Sequence, residues 1–175
     1  RAPRNGIRIA FYGRPSKQRN LFRLGVASLR LAATTLGERS DVTFVSVGEG
    51  HKPIRLGAGY TLRSLGKLGW DEYYTFLAET DVFLSLQLSP HPSHPPLEAA
   101  ISGAWAVTNE VQAERGELHP RLIAVPAHVE SLAAAIVDAA TRPTGEYLPT
   151  ATGALGGDFE TAIAAVAAKL RLTGG

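Results

Sequence analysis

The chain alternates between two hydrophobic patterns. Continuous apolar runs bounded by turn residues predict buried strands, and apolar positions three and four apart predict helices. Ile7–Tyr12 (IRIAFY) is the first strand. The turn GRPSKQ follows, and from Arg19 the spacing becomes helical: Leu21, Leu24, Ser28, Leu31 and Ala32 recur on one face, widened by Phe22, Val26, Leu29 and Ala33. Gly37 suits the stop of that helix. Strands follow at Val42–Val47 and Tyr60–Gly66, then a helix at Trp70–Thr80, with Asp71 and Glu72 in a first turn that favours acids. The run Val82–Leu88 (VFLSLQL) reads as a strand, LEAAIS as a short helix ended by Gly103, and Ala104–Asn109 and Arg121–Pro126 as strands. Val129, Leu132, Ala133, Ile136, Val137 and Ala140 share a helical face. A last helix is expected from Asp158, after the loose Pro143–Gly157 connection.

Strands alternating with helices mean βα units. The expected fold is α/β: a Rossmann-like parallel sheet of about six strands with helices on both faces. No repeat or domain linker interrupts it, so residues 1–175 read as one domain. In such sheets ligands bind beyond the carboxyl ends of the strands, beside helix N-termini.

Composition narrows the function. Hydrophobic residues are 45% of the 175 and charged residues 19%, proportions of a packed soluble domain. Cysteine is absent, which excludes disulfides, thiolate metal sites and a cysteine nucleophile. No apolar run approaches the roughly 20 residues of a membrane span. The N-terminus lacks the apolar core of a signal peptide, so a cytosolic protein, or a cytosolic piece of one, is expected. Charge is uneven: residues 1–67 carry thirteen Lys/Arg and three Asp/Glu, and residues 68–175 carry five and thirteen. The basic half can pair with the acidic half or attract an anion.

Two strand-to-helix loops are unusual. In YGRPSKQRN, Gly13 permits a sharp turn, and Arg14, Lys17 and Arg19 gather beside a helix start. That combination suits a phosphate or diphosphate. It is neither a dinucleotide fingerprint nor a P-loop. In SPHPSHPPLEAAISG, Ser93 or His94 can donate to an anion, and Pro95 and Pro96 tolerate a helix start. Glu98 then falls in the first turn. It either stabilises the helix or accepts from sugar hydroxyls. His91 and His94 lack a third ligand at suitable spacing, so no metal is expected. No nucleophile elbow is present.

SPHPSHPPLEAAISG followed by AVTN resembles the donor-binding half of retaining GT-B glycosyltransferases, whose E-x7-E signature opens a short helix with its second glutamate. More narrowly, FYGRPSKQRNLFRLG, TDVFLSLQLSPHPSHPPLEAAISG and VTNE resemble, in order, the C-terminal domain of WsaF-like rhamnosyltransferases. The resemblance spans about Ile7 to Glu110. It implies that Arg14 and Arg19 hold the donor diphosphate, with Asn20 assisting at the helix start. Glu98 would bind the nucleotide ribose. The loop Pro90–Pro95, with His91, Ser93 and His94, would face the transferred sugar. The backbone around Leu65–Leu68, with Gly66 and Leu68, would edge the base. Pro90 stands where the wider family keeps its first glutamate.

The implied partner is a TDP-, UDP- or GDP-linked hexose such as rhamnose, with no resident cofactor or metal. A GT-B enzyme needs two such domains, so the chain is expected to be the C-terminal half. The N-terminal acceptor domain would be missing, and the full enzyme could associate peripherally with a membrane. The competing class is a non-enzymatic module whose basic half binds nucleic acid. Aromatics are sparse among its cations, which disfavours single-strand stacking.

Overall fold

The computed structural model describes residues 6–89, 93–111 and 115–145. Seven strands form one sheet: β1 (Ile7–Gly13), β2 (Val42–Gly48), β3 (Ile54–Gly57), β4 (Tyr60–Ser64), β5 (Val82–Leu84), β6 (Trp105–Asn109) and β7 (Leu122–Val125). Their order is β3-β4-β2-β1-β5-β6-β7. All neighbours are parallel except β3, which runs antiparallel to β4. Four α-helices are described: α1 (Phe22–Leu36), α2 (Trp70–Ala78), α3 (His94–Ile101) and α4 (Val129–Thr141).

The period-two alternation of β1 sorts the two faces. Ile9 and Phe11 join the core formed with α1 and α4, beside Val82, Leu84 and Val107 of β5 and β6. Ala10 joins the opposite core with Phe76 and Leu77 of α2 and Leu97, Ala99 and Ala100 of α3. Both faces of the central strands are therefore dry, which is why their sequences are continuous apolar runs.

Strand order changes direction at β1. The chain leaves β1 for β2 and β4 on one side, then returns through α2 to β5 on the other. The crevice opens where order reverses, between the loops that leave β1 and β5. Those are the two loops singled out by their sequences.

Four expectations change. The sheet has a seventh strand, β3, of four residues with only Leu56 buried. Such an edge strand leaves almost no hydrophobic signature. α1 begins at Phe22 rather than Arg19: Gln18–Asn20 form a 3-10 turn, and Leu21 takes the left-handed conformation at φ 48°. β5 ends at Leu84: beyond Ser85, Gln87 bonds to the Asn109 side chain and the Leu88 amide to the Arg19 carbonyl instead of a ladder. α3 starts at His94, so Glu98 lies in its second turn and not its first. The expected helix from Asp158 lies outside the described residues, as does all but 143–145 of the loose connection before it.

Candidate functional site

A cleft of about 900 Å³ lies over the carboxyl edge of the sheet. Its lining includes Tyr12 near the end of β1 and Arg14 just after it, Gly48 at the end of β2, Lys67–Trp70 before and at the start of α2, Tyr73, and His94, Pro95 and Glu98 of α3. Gly48 lowers its floor. Gly13 and Gly48 are register partners at the ends of β1 and β2. A Cβ on Gly48 would meet the Arg14 and Tyr12 side chains at 3.2 Å, and one on Gly13 the Phe22 ring at 3.0 Å.

The loop after β1 is fixed from below. The Lys17 amide donates to the Arg14 carbonyl at 3.0 Å. Ser16 donates its hydroxyl (2.8 Å) and amide (3.3 Å) to Glu49 Oε2. Glu49 in turn accepts the Ser64 hydroxyl at its carbonyl, 3.1 Å away. The Gly48 amide donates to the Gly66 carbonyl at 2.8 Å, and Gly66 itself sits at φ 72°, a conformation that suits glycine. His51 locks the same corner: its Nδ1 donates to the Lys52 carbonyl at 2.8 Å, which leaves Nε2 to accept from Ser46 at 2.6 Å. Among the described residues, the Arg14, Lys17, Arg19 and Lys67 side chains make no hydrogen bond or ion pair.

The loop after β5 is tied just as closely. Asn109 brackets Gln87, accepting its amide at 2.8 Å and donating to its carbonyl at 3.0 Å. The Leu88 amide donates to the Arg19 carbonyl at 2.7 Å, which ties Leu88 to the 3-10 turn. Arg115, 3% exposed, donates to the Asn109 and Ser89 carbonyls. Burial lowers its pKa from the ordinary arginine value.

The three helix N-termini at this edge differ in chemistry. α2 is closed by its own acids: Glu72 accepts the Gly69 amide at 2.9 Å, and Asp71 adds a second carboxylate. α3 carries proline at its second and third positions, so two of the amides a helix start normally offers are missing. α1 has no acid in its first turn and no side-chain cap, and the Arg14–Arg19 loop leads into it.

Of the residues singled out in the sequence, Arg14, Leu68, His94 and Glu98 meet in the cleft. Gly13 lies outside the cleft lining, packed against the Phe22 and Phe11 rings. Ser93 is the N-cap of α3, 9% exposed and without a side-chain capping bond. Asn20 is 4% exposed; its Nδ2 donates weakly to the Leu86 carbonyl at 3.5 Å, and its Oδ1 has no partner. Arg19 is exposed on the 3-10 turn and is not part of the cleft lining. Pro90 and His91 lie outside the described residues.

Four residues that contribute were missed. Tyr73 donates its hydroxyl to Glu98 Oε2 at 3.1 Å. Trp70 is 76% exposed at the cleft rim and stacks on Tyr74 with ring centroids 6.3 Å apart. Asn109 and Arg115 hold the loop after β5. WDEYY, placed just beyond a strand's carboxyl end, was the available signal for the two aromatics.

Comparisons with known proteins agree on architecture. The family model described as WsaF, C-terminal domain, matches residues 7–137. The O-antigen biosynthesis protein RfbC of Myxococcus xanthus is 36% identical over 111 residues, which cover 63% of this chain and 8% of that protein. A solved structure described as trehalose-6-phosphate from E. coli bound with UDP-2-fluoro glucose aligns with a TM-score of 0.60 at 14% identity, covering 79% of this chain and 37% of that one. The OtsA apo structure aligns at 0.58 and 13%, covering 81% and 37%. At such identities the structural likeness establishes the fold: a GT-B Rossmann-like domain.

Proposed function

Because the chain belongs to the family of WsaF C-terminal domains, we propose that it is the donor-binding domain of a glycosyltransferase acting in surface-glycan assembly. Its ligand is a nucleoside-diphosphate hexose, with rhamnose as the proposed sugar. The observation that carries this reading is the chemical asymmetry of the cleft. On one side, Arg14 lines the cleft with no hydrogen bond or ion pair to its side chain among the described residues, at the head of the loop that leads to the start of α1, which has no side-chain cap. On the α2–α3 side, a carboxylate, Glu98, is flanked by Tyr73, Leu68 and Trp70. That is the polarity of a nucleoside diphosphate: anion at one end, hydroxylated ribose and flat base at the other.

In this reading Arg14 and the α1 amides take the diphosphate, with Arg19 and Lys17 adding field from the same loop. Glu98 accepts from the ribose hydroxyls. The base lies against Leu68 and Trp70. The sugar points toward Ser93 and His94. During transfer the bond between the anomeric carbon and the diphosphate oxygen breaks, and its electron pair leaves with the diphosphate. In this reading Arg14 and the α1 start stabilise that growing charge, which is the term that lowers such barriers most. No metal is assigned a part. The acceptor and any general base belong to a second domain of a longer enzyme.

Arg14→Ala should weaken binding of a nucleoside diphosphate by roughly tenfold or more, since charge-assisted bonds to phosphate are among the stronger polar contacts. Calorimetry with TDP, UDP and GDP measures it. Unchanged affinity in the variant would refute the diphosphate assignment.

A further inference from the structure

Among the described residues the cleft lining holds one carboxylate, Glu98, and its geometry is set by a neighbour. We propose that Tyr73 is the positioning residue of the nucleoside end of the site: its hydroxyl holds one oxygen of Glu98 so that the other faces the ribose. This rests on the donor-binding reading given above.

The Tyr73 hydroxyl donates to Glu98 Oε2 at 3.1 Å. Among the described residues no other group hydrogen-bonds the Glu98 side chain, and Oε1 is left as an acceptor. A glutamate in the second turn of a helix has three rotatable bonds, and ordering them costs entropy on each binding event unless something orders them beforehand. Tyr73 can supply that order because it is itself held. Its ring packs against the α2–α3 core and meets Tyr74 edge-on, with centroids 5.8 Å apart. Burial, and then the charge of Glu98, push the Tyr73 pKa well above the ordinary phenol value, so it remains a donor across the working pH range.

Chain position supports the same role. Tyr73 lies on α2, which follows β4, whereas Glu98 lies on α3, which follows β5. The hydrogen bond joins two elements that close the α2–α3 side of the cleft. A bond that served only to join helices would not need to end on a group lining the cleft, nor leave its second oxygen unbonded.

The test compares a nucleoside diphosphate with its 2′,3′-dideoxy analogue, each titrated by calorimetry into the whole chain. TDP, UDP and GDP are screened first, and the tightest is used. The ratio of the two affinities reads the ribose contact alone. Wild type should favour the hydroxylated ligand by about tenfold, the usual worth of a hydrogen bond to a charged acceptor. Glu98→Gln should bring the ratio near one. Tyr73→Phe, which keeps the ring and removes only the hydroxyl, should reduce the ratio severalfold. The affinities of the dideoxy ligand and of pyrophosphate should stay unchanged in that variant. Loss of affinity for all ligands alike in Tyr73→Phe would mean a purely structural role and overturn the proposal. So would a full ratio in Tyr73→Phe alongside a collapsed ratio in Glu98→Gln. If Glu98→Gln keeps the ratio, or none of the three diphosphates binds wild type, the donor-site reading itself fails, and this inference with it.

Discussion

A single methyl group at Gly25 is enough to disturb the packing of α1 on β1. A Cβ there would lie 2.3 Å from Phe11 Cζ and 2.6 Å from its Cε2. Phe11 is fully buried in β1 and stacked on Phe22 at 5.6 Å, so the ring has nowhere to retreat. Alanine gains about 1 kcal/mol of helix propensity over glycine, but overpacking a tight core costs about 1–3 kcal/mol. Gly25→Ala should therefore lower stability in chemical denaturation, and a neutral or stabilised variant would show that α1 does not pack as described. At this scale the sequence was legible where charge and glycine stand out, as at Gly13, Arg14 and Glu98. It was not legible at Tyr73. An aromatic at helical spacing reads as core, and only the fold reveals that its hydroxyl reaches Glu98. Asn109 and Arg115 were hidden for a related reason: their partners are backbone carbonyls of a distant loop.

Among the elements, α2 and α3 divide the labour of the cleft through their N-termini. α2 satisfies its own start with Glu72 and adds Asp71, which repels a phosphate. It offers instead the face of Trp70. The chain has two tryptophans. The other, Trp105, donates its indole N–H to the Pro143 carbonyl and lies under Arg142, away from the cleft lining. A nucleoside diphosphate should therefore quench tryptophan fluorescence in wild type and in Trp105→Phe but not in Trp70→Phe. Pyrophosphate, having no base, should quench none of them. Quenching that survives in Trp70→Phe would move the base elsewhere. Elements with both faces buried were read correctly from apolar runs, as in β1, β2 and β6. Those set by local exceptions were not. β3 buries only one of its four residues, and the true start of α1 depends on a left-handed Leu21, for which no sequence rule gives a signal. In the sequence the prolines of α3 mark a tolerated helix start. In the fold they also remove amide donors, so in the proposed site the diphosphate falls to α1 instead.

For the molecule as a whole, the doubly covered parallel sheet followed from strand and helix alternation. The reversal of strand order at β1 then explains why the two odd loops share one crevice. The basic N-terminal half acquires a specific meaning from this topology. Arg14, Lys17 and Arg19 follow β1 and Lys52 follows β2, at the carboxyl edge of the sheet, and Arg14 and Lys67 line the cleft. That arrangement favours a compact anion over a long polyanion. The most direct measurement is an amide NMR titration of the chain with TDP, UDP, GDP and a short DNA oligonucleotide. One diphosphate should bind saturably at one-to-one stoichiometry. Its shifts should cluster on residues 13–25, 66–73 and 93–98, and persist when salt is raised. No diphosphate binding, or shifts centred on another face with only the oligonucleotide binding in a steeply salt-dependent way, would contradict the account.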